Sequence, residues 1–176
     1  DFEDGLPHTI DKYIVISEDF VSDIQKLIES NQKQEAIINY GSTLTHEQVH
    51  VLQRVHASIF DRLYVKYWRY TSFSEKSINT LIEQYVGPYQ RLNPDGLNNN
   101  YLFKLSNNQY LIVYVKLNDV HLENVTKYGL AIESSNLRVR KNKVLNHYSD
   151  YLNYFGGIGN NYHPNELIAT LLSEYI

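Results

Sequence analysis

The 176-residue sequence contains no cysteine and no methionine, and it has only 4 prolines. Without cysteine there is no disulfide framework, no thiolate metal site and no cysteine nucleophile. No apolar run approaches the roughly 20 residues that a membrane-spanning helix needs, and the first residues lack the basic and then apolar layout of a signal peptide. The sequence therefore predicts no membrane span, and it predicts no particular cellular location. Because the chain starts at Asp1 and has no methionine, we expect a processed product or an excised segment.

Positive charge is also in short supply. Lysine and arginine total 16 against 20 acidic residues, which gives a net charge of −4 and a pI near 6.0. A general affinity for nucleic acid would need a basic face, so we expect no nucleic-acid partner. One local patch contains Arg138, Arg140, Lys141 and Lys143, and a solvated strand end and turn is the better interpretation of it.

What the sequence does have is the composition of a folded domain, with 43% hydrophobic and 20% charged residues. The length suits one core, so we predict a single domain over residues 1–176, with residues 1–9 as an N-terminal arm. Periodicity and turn residues predict strands and helices in alternation. The predicted strands are 10–16, 35–40, 101–105, 110–117, 128–133 and 137–140. The predicted helices begin at Ser17 and Ser74, run over 42–70 and 141–155, and begin again near Pro164.

The segment from His46 to His50 reads His-Glu-x-x-His inside the long helical pattern. Residues four apart share one face of a helix, so His46 and His50 can present two imidazoles to one metal ion, with Glu47 at the edge of that face. Two neutral imidazoles suit zinc, and the adjacent carboxylate can accept a proton from water that the ion has made more acidic. The alternative interpretation is an ordinary amphipathic helix with two surface or core histidines.

A catalytic zinc ion usually has three protein ligands, and His56 is one candidate for the third. Its position reproduces the outer spacing of the longer motif His-Glu-x-x-His-x-x-Gly-x-x-His, which resembles the metzincin metallopeptidases. Gln53 stands at the Gly position of that motif, and the chain has no Met for the family's Met-turn. In a continuous helix, His56 would point about 120° away from His50.

Glu166 is the second candidate. Pro164 is typical of the first turn of a helix, and a carboxylate in that turn can reach an ion held by another helix. The segment from Asn165 to Thr170 resembles the gluzincin branch of the zincin metallopeptidases, whose third ligand is the Glu of an Asn-Glu-x-x-x-Asp motif. Thr170 stands where that family often has an Asp that hydrogen-bonds a ligand imidazole. The other interpretation of Glu166 is a carboxylate that merely complements the helix dipole.

The gluzincin resemblance implies a zincin-like α+β fold with a long active-site helix beside a small mixed or antiparallel sheet. It also implies that His46, His50 and Glu166 hold Zn²⁺. Three further histidines, His121, His147 and His163, also compete for the third ligand position. Alternatively, His163 or Tyr162 would donate a hydrogen bond to the oxyanion of a tetrahedral intermediate.

These residues predict a zinc-dependent peptidase, an endopeptidase rather than an exopeptidase, with Glu47 as general base. We expect peptide or protein substrates, and residues 101–117 would offer an edge strand to an extended peptide. The alternative is a catalytically silent zincin-like protein with a binding or structural role, which the 16 tyrosines and Thr170 favour. The net negative charge of the chain disfavours hydrolysis of nucleic acid at the same metal. No oligomeric state is predicted.

Overall fold

The computed structural model describes residues 5–86, 90–91, 100–118, 124–133 and 136–175. This part of the chain combines helices with two antiparallel sheets, which confirms the predicted α+β class. None of the helices within it is long and apolar enough to cross a membrane.

The N-terminal segment forms a small hairpin. Strands β1 (His8–Ile10) and β2 (Tyr13–Val15) pair antiparallel, and Asp11 in the turn between them has a φ of 53°. The prediction of one strand over 10–16 is therefore wrong in extent, because the turn divides it. Residues 8 and 9, predicted as part of an N-terminal arm, belong to β1.

Helix α1 (Glu18–Glu29) begins where the sequence predicts. The Ser17 side chain accepts a hydrogen bond from the Phe20 N–H, and Glu18 and Asp19 complement the positive end of the helix dipole. No residue of α1 is fully buried. The helix therefore packs as a surface layer.

The strand predicted over 35–40 is wrong. Helix α2 (Lys33–Ala36) passes through a π-helical turn (Ile37–Gly41) directly into helix α3 (Ser42–Val55). Ile37 and Ile38 are 47% and 68% exposed, whereas a short apolar strand would bury at least one of them. An apolar run this short is compatible with a strand or a helix, and its position in the fold determines which of the two forms.

The helix predicted over 42–70 is two helices. Helix α3 ends at Val55. The next residue, His56, has a φ of −119° and a ψ of 37°, which are not helical, and helix α4 (Ala57–Tyr67) follows at once. No Gly or Pro marks this break. Helix α3 packs against the N-terminal hairpin, and α4 packs against the large sheet.

The large sheet is antiparallel, and its strands follow the order β3-β5-β6-β7-β8, with β4 beside β6. Its members are β3 (Tyr70–Ser72), β4 (Gln90–Arg91), β5 (Tyr101–Lys104), β6 (Gln109–Leu117), β7 (Val125–Glu133) and β8 (Val139–Val144). The predicted hairpin of residues 101–117 is confirmed as β5 and β6. Both of its strands have neighbours on both sides, so the expectation that it offers a free edge to a peptide is wrong.

Three helices complete the described chain: α5 (Glu75–Val86), α6 (Ser149–Phe155) and α7 (Pro164–Ser173). The helix predicted over 141–155 begins only after β8 and a 3₁₀ turn at Leu145–His147. Most of the basic patch lies on β8 at the sheet edge, and Arg140 pairs there with Glu133. The helix predicted at Pro164 is confirmed.

The sheet separates two buried layers, because successive residues of a strand face opposite sides. On one side, Ile78 and Ile82 of α5 pack with Leu102, Ile112 and Leu130. On the other side, helices α4, α6 and α7 cover a cluster rich in rings. We call this second cluster the aromatic core: Tyr64, Tyr70, Phe103, Tyr148, Tyr151 and Phe155.

Candidate metal centre

Two helices bring three ligand-type side chains together. On α3, His46 and His50 lie one turn apart, and their Nε2 atoms are 3.1 Å from each other. Glu166 reaches them from the first turn of α7, with 3.3 Å from its Oε2 to His46 Nε2 and 3.3 Å from its Oε1 to His50 Nε2. We call these three residues, which could hold a metal ion, the metal-binding cluster. Its ligand atoms all lie within 4.8 Å of one another.

The spacing suits a small tetrahedral ion. With metal–ligand bonds of 2.0–2.1 Å, two ligands of a tetrahedral zinc ion lie about 3.3 Å apart. The nearest distances within the metal-binding cluster are 3.1 and 3.3 Å. Two imidazoles and one carboxylate are also the donors that catalytic zinc sites use, with the fourth position open. The donor set and its spacing therefore fit zinc.

The cluster is buried, and its charges support one another. His50 is 0% exposed and Glu166 is 3% exposed, whereas His46 is half-buried. Burial raises the pKa of the Glu166 carboxyl, but the hydrogen bond from His46 and the charges of His50, His46 and His163 outweigh it, so this pKa lies below its ordinary value. The carboxylate is thus held in the ionised form that a cation requires.

A cleft of about 350 Å³ opens beside the cluster. His46, Glu47 and Glu166 all line it, so Glu47 borders the same space as two of the three ligand-type residues. The remaining lining residues are Leu6, Pro7, Ser42, Thr43, Asn160, Tyr162, Thr170 and Ser173. A substrate in this cleft would contact the cluster and Glu47 together.

Tyr162 and His163 occupy different positions. Tyr162 is half-buried and lines the cleft. The His163 ring accepts a hydrogen bond at Nδ1 from the Asn165 N–H, which caps α7. It lines a second, small cavity, which Tyr162 also lines, and it does not line the cleft. Of the two residues predicted to donate to an oxyanion, Tyr162 is therefore the one that the structure places at the cleft.

The other candidates for a third ligand lie elsewhere. His56 and His147 are exposed, and neither belongs to the metal-binding cluster. The break after α3 removes the continuous helix on which the angle predicted for His56 depends. His121 lies outside the described residues.

Gln53 is a residue of the site that the motifs did not single out. Its side chain is 4% exposed, and its Oε1 lies 2.8 Å from Nδ1 of His50. Gln53 lies one turn after His50 on the same helix face, and that spacing is the signal that could have identified it.

Thr170 stands at the position where the gluzincin motif often has an Asp. Its Oγ1 has no hydrogen-bond partner among the described residues.

No family model matches this chain, and no curated protein or solved structure matches it.

Proposed function

We propose that this chain is a zinc-dependent peptidase with a zincin-like, gluzincin-type site. His46, His50 and Glu166 would hold Zn²⁺, and Glu47 would be the general base. The observation that supports this proposal best is the convergence of His46, His50 and Glu166, whose ligand atoms lie within 4.8 Å of one another, at a cleft that Glu47 also lines.

The metal-binding cluster and the residues that line the cleft would have different roles in the reaction. Zinc held by the cluster would act as a Lewis acid on the scissile carbonyl and would increase the acidity of water. The Glu47 carboxylate accepts the proton of the attacking water and passes it to the leaving amine. The Tyr162 hydroxyl donates a hydrogen bond to the carbonyl oxygen as negative charge develops on it.

The cleft lining favours an endopeptidase. None of the described residues that line it is Lys or Arg, so the described part of the cleft offers no cation to bind the terminal carboxylate of a peptide. The two carboxylates among these described residues, Glu47 and Glu166, already have roles in the chemistry and in holding the metal. Neutral side chains form the rest of the lining, which suits an internal stretch of a peptide chain.

Zinc content and cleavage test this proposal together. Wild-type protein should contain about one zinc per chain, and it should cut a denatured protein or a peptide library. The Glu47→Gln variant should keep the zinc and lose cleavage by about 10²–10⁴-fold. Gln48→Ala is the matched control, because Gln48 is the adjacent and exposed residue of α3, and it should behave as wild type.

Two results would contradict the proposed enzyme. Stoichiometric zinc without cleavage of any substrate pool would favour a zincin-like protein with a binding or structural role. Absence of zinc after reconstitution would overturn the metal site itself.

A further inference from the structure

We propose that Gln53 is a positioning residue that presents the Nε2 lone pair of His50 to the metal ion. The proposal rests on the proposed function, because it assumes that the cluster binds zinc. It assigns to a glutamine on the motif helix the role that outer-shell carboxylates and carbonyls have in other metal sites, where they fix the tautomer and the ring orientation of a ligand histidine.

The backbone carbonyl of Asn165 determines how the Gln53 amide is oriented. The Gln53 side-chain Nε2 lies 2.8 Å from the carbonyl oxygen of Asn165, in the first turn of α7. A carbonyl oxygen can only accept, so the NH₂ end of the amide must face Asn165. The Tyr64 hydroxyl oxygen, 3.3 Å from the same nitrogen, accepts a second bond from it.

This orientation determines the tautomer of His50. With the NH₂ end facing Asn165, the amide oxygen Oε1 faces Nδ1 of His50 at 2.8 Å. Because an amide oxygen only accepts, Nδ1 must carry the proton. In neutral His50 the lone pair is then on Nε2, the atom that faces His46 and Glu166 at 3.1 and 3.3 Å.

The three residues that share this arrangement are buried. His50, Gln53 and Asn165 are 0%, 4% and 8% exposed, so water competes little for these hydrogen bonds. Gln53 also joins the two helices that supply the ligands, because it lies on α3 and donates to α7. Changing Gln53 should therefore affect both the tautomer of His50 and the distance between the ligand-bearing helices.

Zinc affinity in a set of variants tests the assignment. Zinc would be titrated into each metal-free protein against a competing chelator, with circular dichroism to verify folding. Gln53→Leu removes the acceptor and should weaken zinc binding about 10–100-fold. Gln53→Glu keeps an acceptor for His50 while losing the donor to Asn165, and it should recover only part of that affinity. Gln48→Leu, an exposed control on the same helix, should stay within about twofold of wild type.

A spectroscopic measurement on the wild type is independent of how the variants fold. In zinc-loaded protein with ¹⁵N-labelled histidine, the buried Nδ1–H of His50 should give an imidazole N–H proton that exchanges slowly with water. That signal should shift in Gln53→Glu and exchange faster in Gln53→Leu.

The outcomes separate the two proposals. If wild-type protein binds zinc but shows no protected imidazole N–H, or if Gln53→Leu matches the Gln48→Leu control, the role of Gln53 is overturned and the metal site stands. If wild-type protein binds no zinc, the proposed function fails, and the role of Gln53 in metal binding fails with it.

Discussion

The metal-binding cluster and the aromatic core are both buried, yet they use burial in opposite ways. The aromatic core packs rings edge to face, as Phe103 does with Tyr151 at 5.0 Å and with Phe155 at 5.9 Å between centroids. The metal-binding cluster instead buries polar atoms, whose nearest distances from one another are 3.1 and 3.3 Å. Burial of rings stabilises a fold, whereas burial of polar groups stabilises it little and is retained where a ligand needs those groups. The two regions should therefore respond differently to mutation.

Phe103→Ala should have the largest effect on stability. Phe103 is 0% exposed and contacts rings from β3 and α6, so truncation leaves a cavity and should lower the free energy of unfolding by about 3–5 kcal/mol. Urea unfolding of the metal-free protein measures this loss. Zinc affinity of the folded variant should be unchanged, and a large fall in that affinity would show that the two regions are not independent.

Glu166→Gln should lower zinc affinity strongly and stability little, which is the reverse of Phe103→Ala. The amide keeps the size of the side chain but removes the negative charge, so zinc affinity should fall by at least about 100-fold, the upper end of what losing an outer partner of a ligand costs. The free energy of unfolding of the metal-free variant should change less than that of Phe103→Ala. A chelator competition and a urea titration give the two numbers, and comparable losses of stability in the two variants would contradict the comparison.

Tyr151→Phe tests whether the aromatic core also depends on hydrogen bonds. The Tyr151 hydroxyl donates to the Asn161 carbonyl at 2.8 Å and lies 3.0 Å from the Tyr70 hydroxyl. Removing it leaves both partners short of a bond inside the core, and should cost about 1–3 kcal/mol. Thermal and urea unfolding would measure this, with Tyr154→Phe, a half-exposed ring on the same helix, as the control. Equal stability of Tyr151→Phe and its control would show that the hydroxyl contributes nothing.

Alkaline pH should destabilise the aromatic core. Burial raises the pKa of Tyr148 to about 12, and its hydroxyl donates to the Gly129 carbonyl at 2.7 Å. The folded state therefore holds this proton more tightly than the unfolded chain, in which the pKa is about 10. The resulting stability is complete below about pH 10 and is lost as the pH rises towards about 12. Urea unfolding across this range should show a steeper loss in wild type than in Tyr148→Phe, and parallel curves would contradict the assignment.

His56→Ala should have the smallest effect. The side chain is exposed at the break between α3 and α4, so the free energy of unfolding should change by less than about 0.5 kcal/mol. Zinc affinity should also stay at the wild-type value. A marked loss of zinc would instead favour the metzincin-like ligand set and would exclude Glu166 as the third ligand.

The difference between local and long-range contacts explains which features could be predicted from the sequence. Local patterns identified the Ser17 cap, the pairing of His46 with His50 on one helix face, and the helix that begins at Pro164, since each depends on residues within one or two turns. The roles of Gln53 depend on distant partners, because Tyr64 and Asn165 lie 11 and 112 residues along the chain. No local pattern encodes such contacts.

The incorrect predictions of secondary structure also arise from contacts that local sequence does not encode. The break at His56 has no Gly or Pro to mark it, and it occurs where α3 and α4 pack against different parts of the fold. The segment 35–40 is short enough to predict a strand, whereas the structure continues its residues 37–40 as a π-helical turn into α3. In both places the tertiary environment overrides local preference.

The metal-binding cluster joins residues 46 and 50 to residue 166, and all the described strands of the large sheet lie between them in the chain. A zinc ion there would be a reversible cross-link around that sheet, absent from any unfolded chain. At a free zinc concentration of 100 times the dissociation constant, such linkage is worth about 2.7 kcal/mol. The zinc supply around the protein would then help to set how long the chain survives proteases.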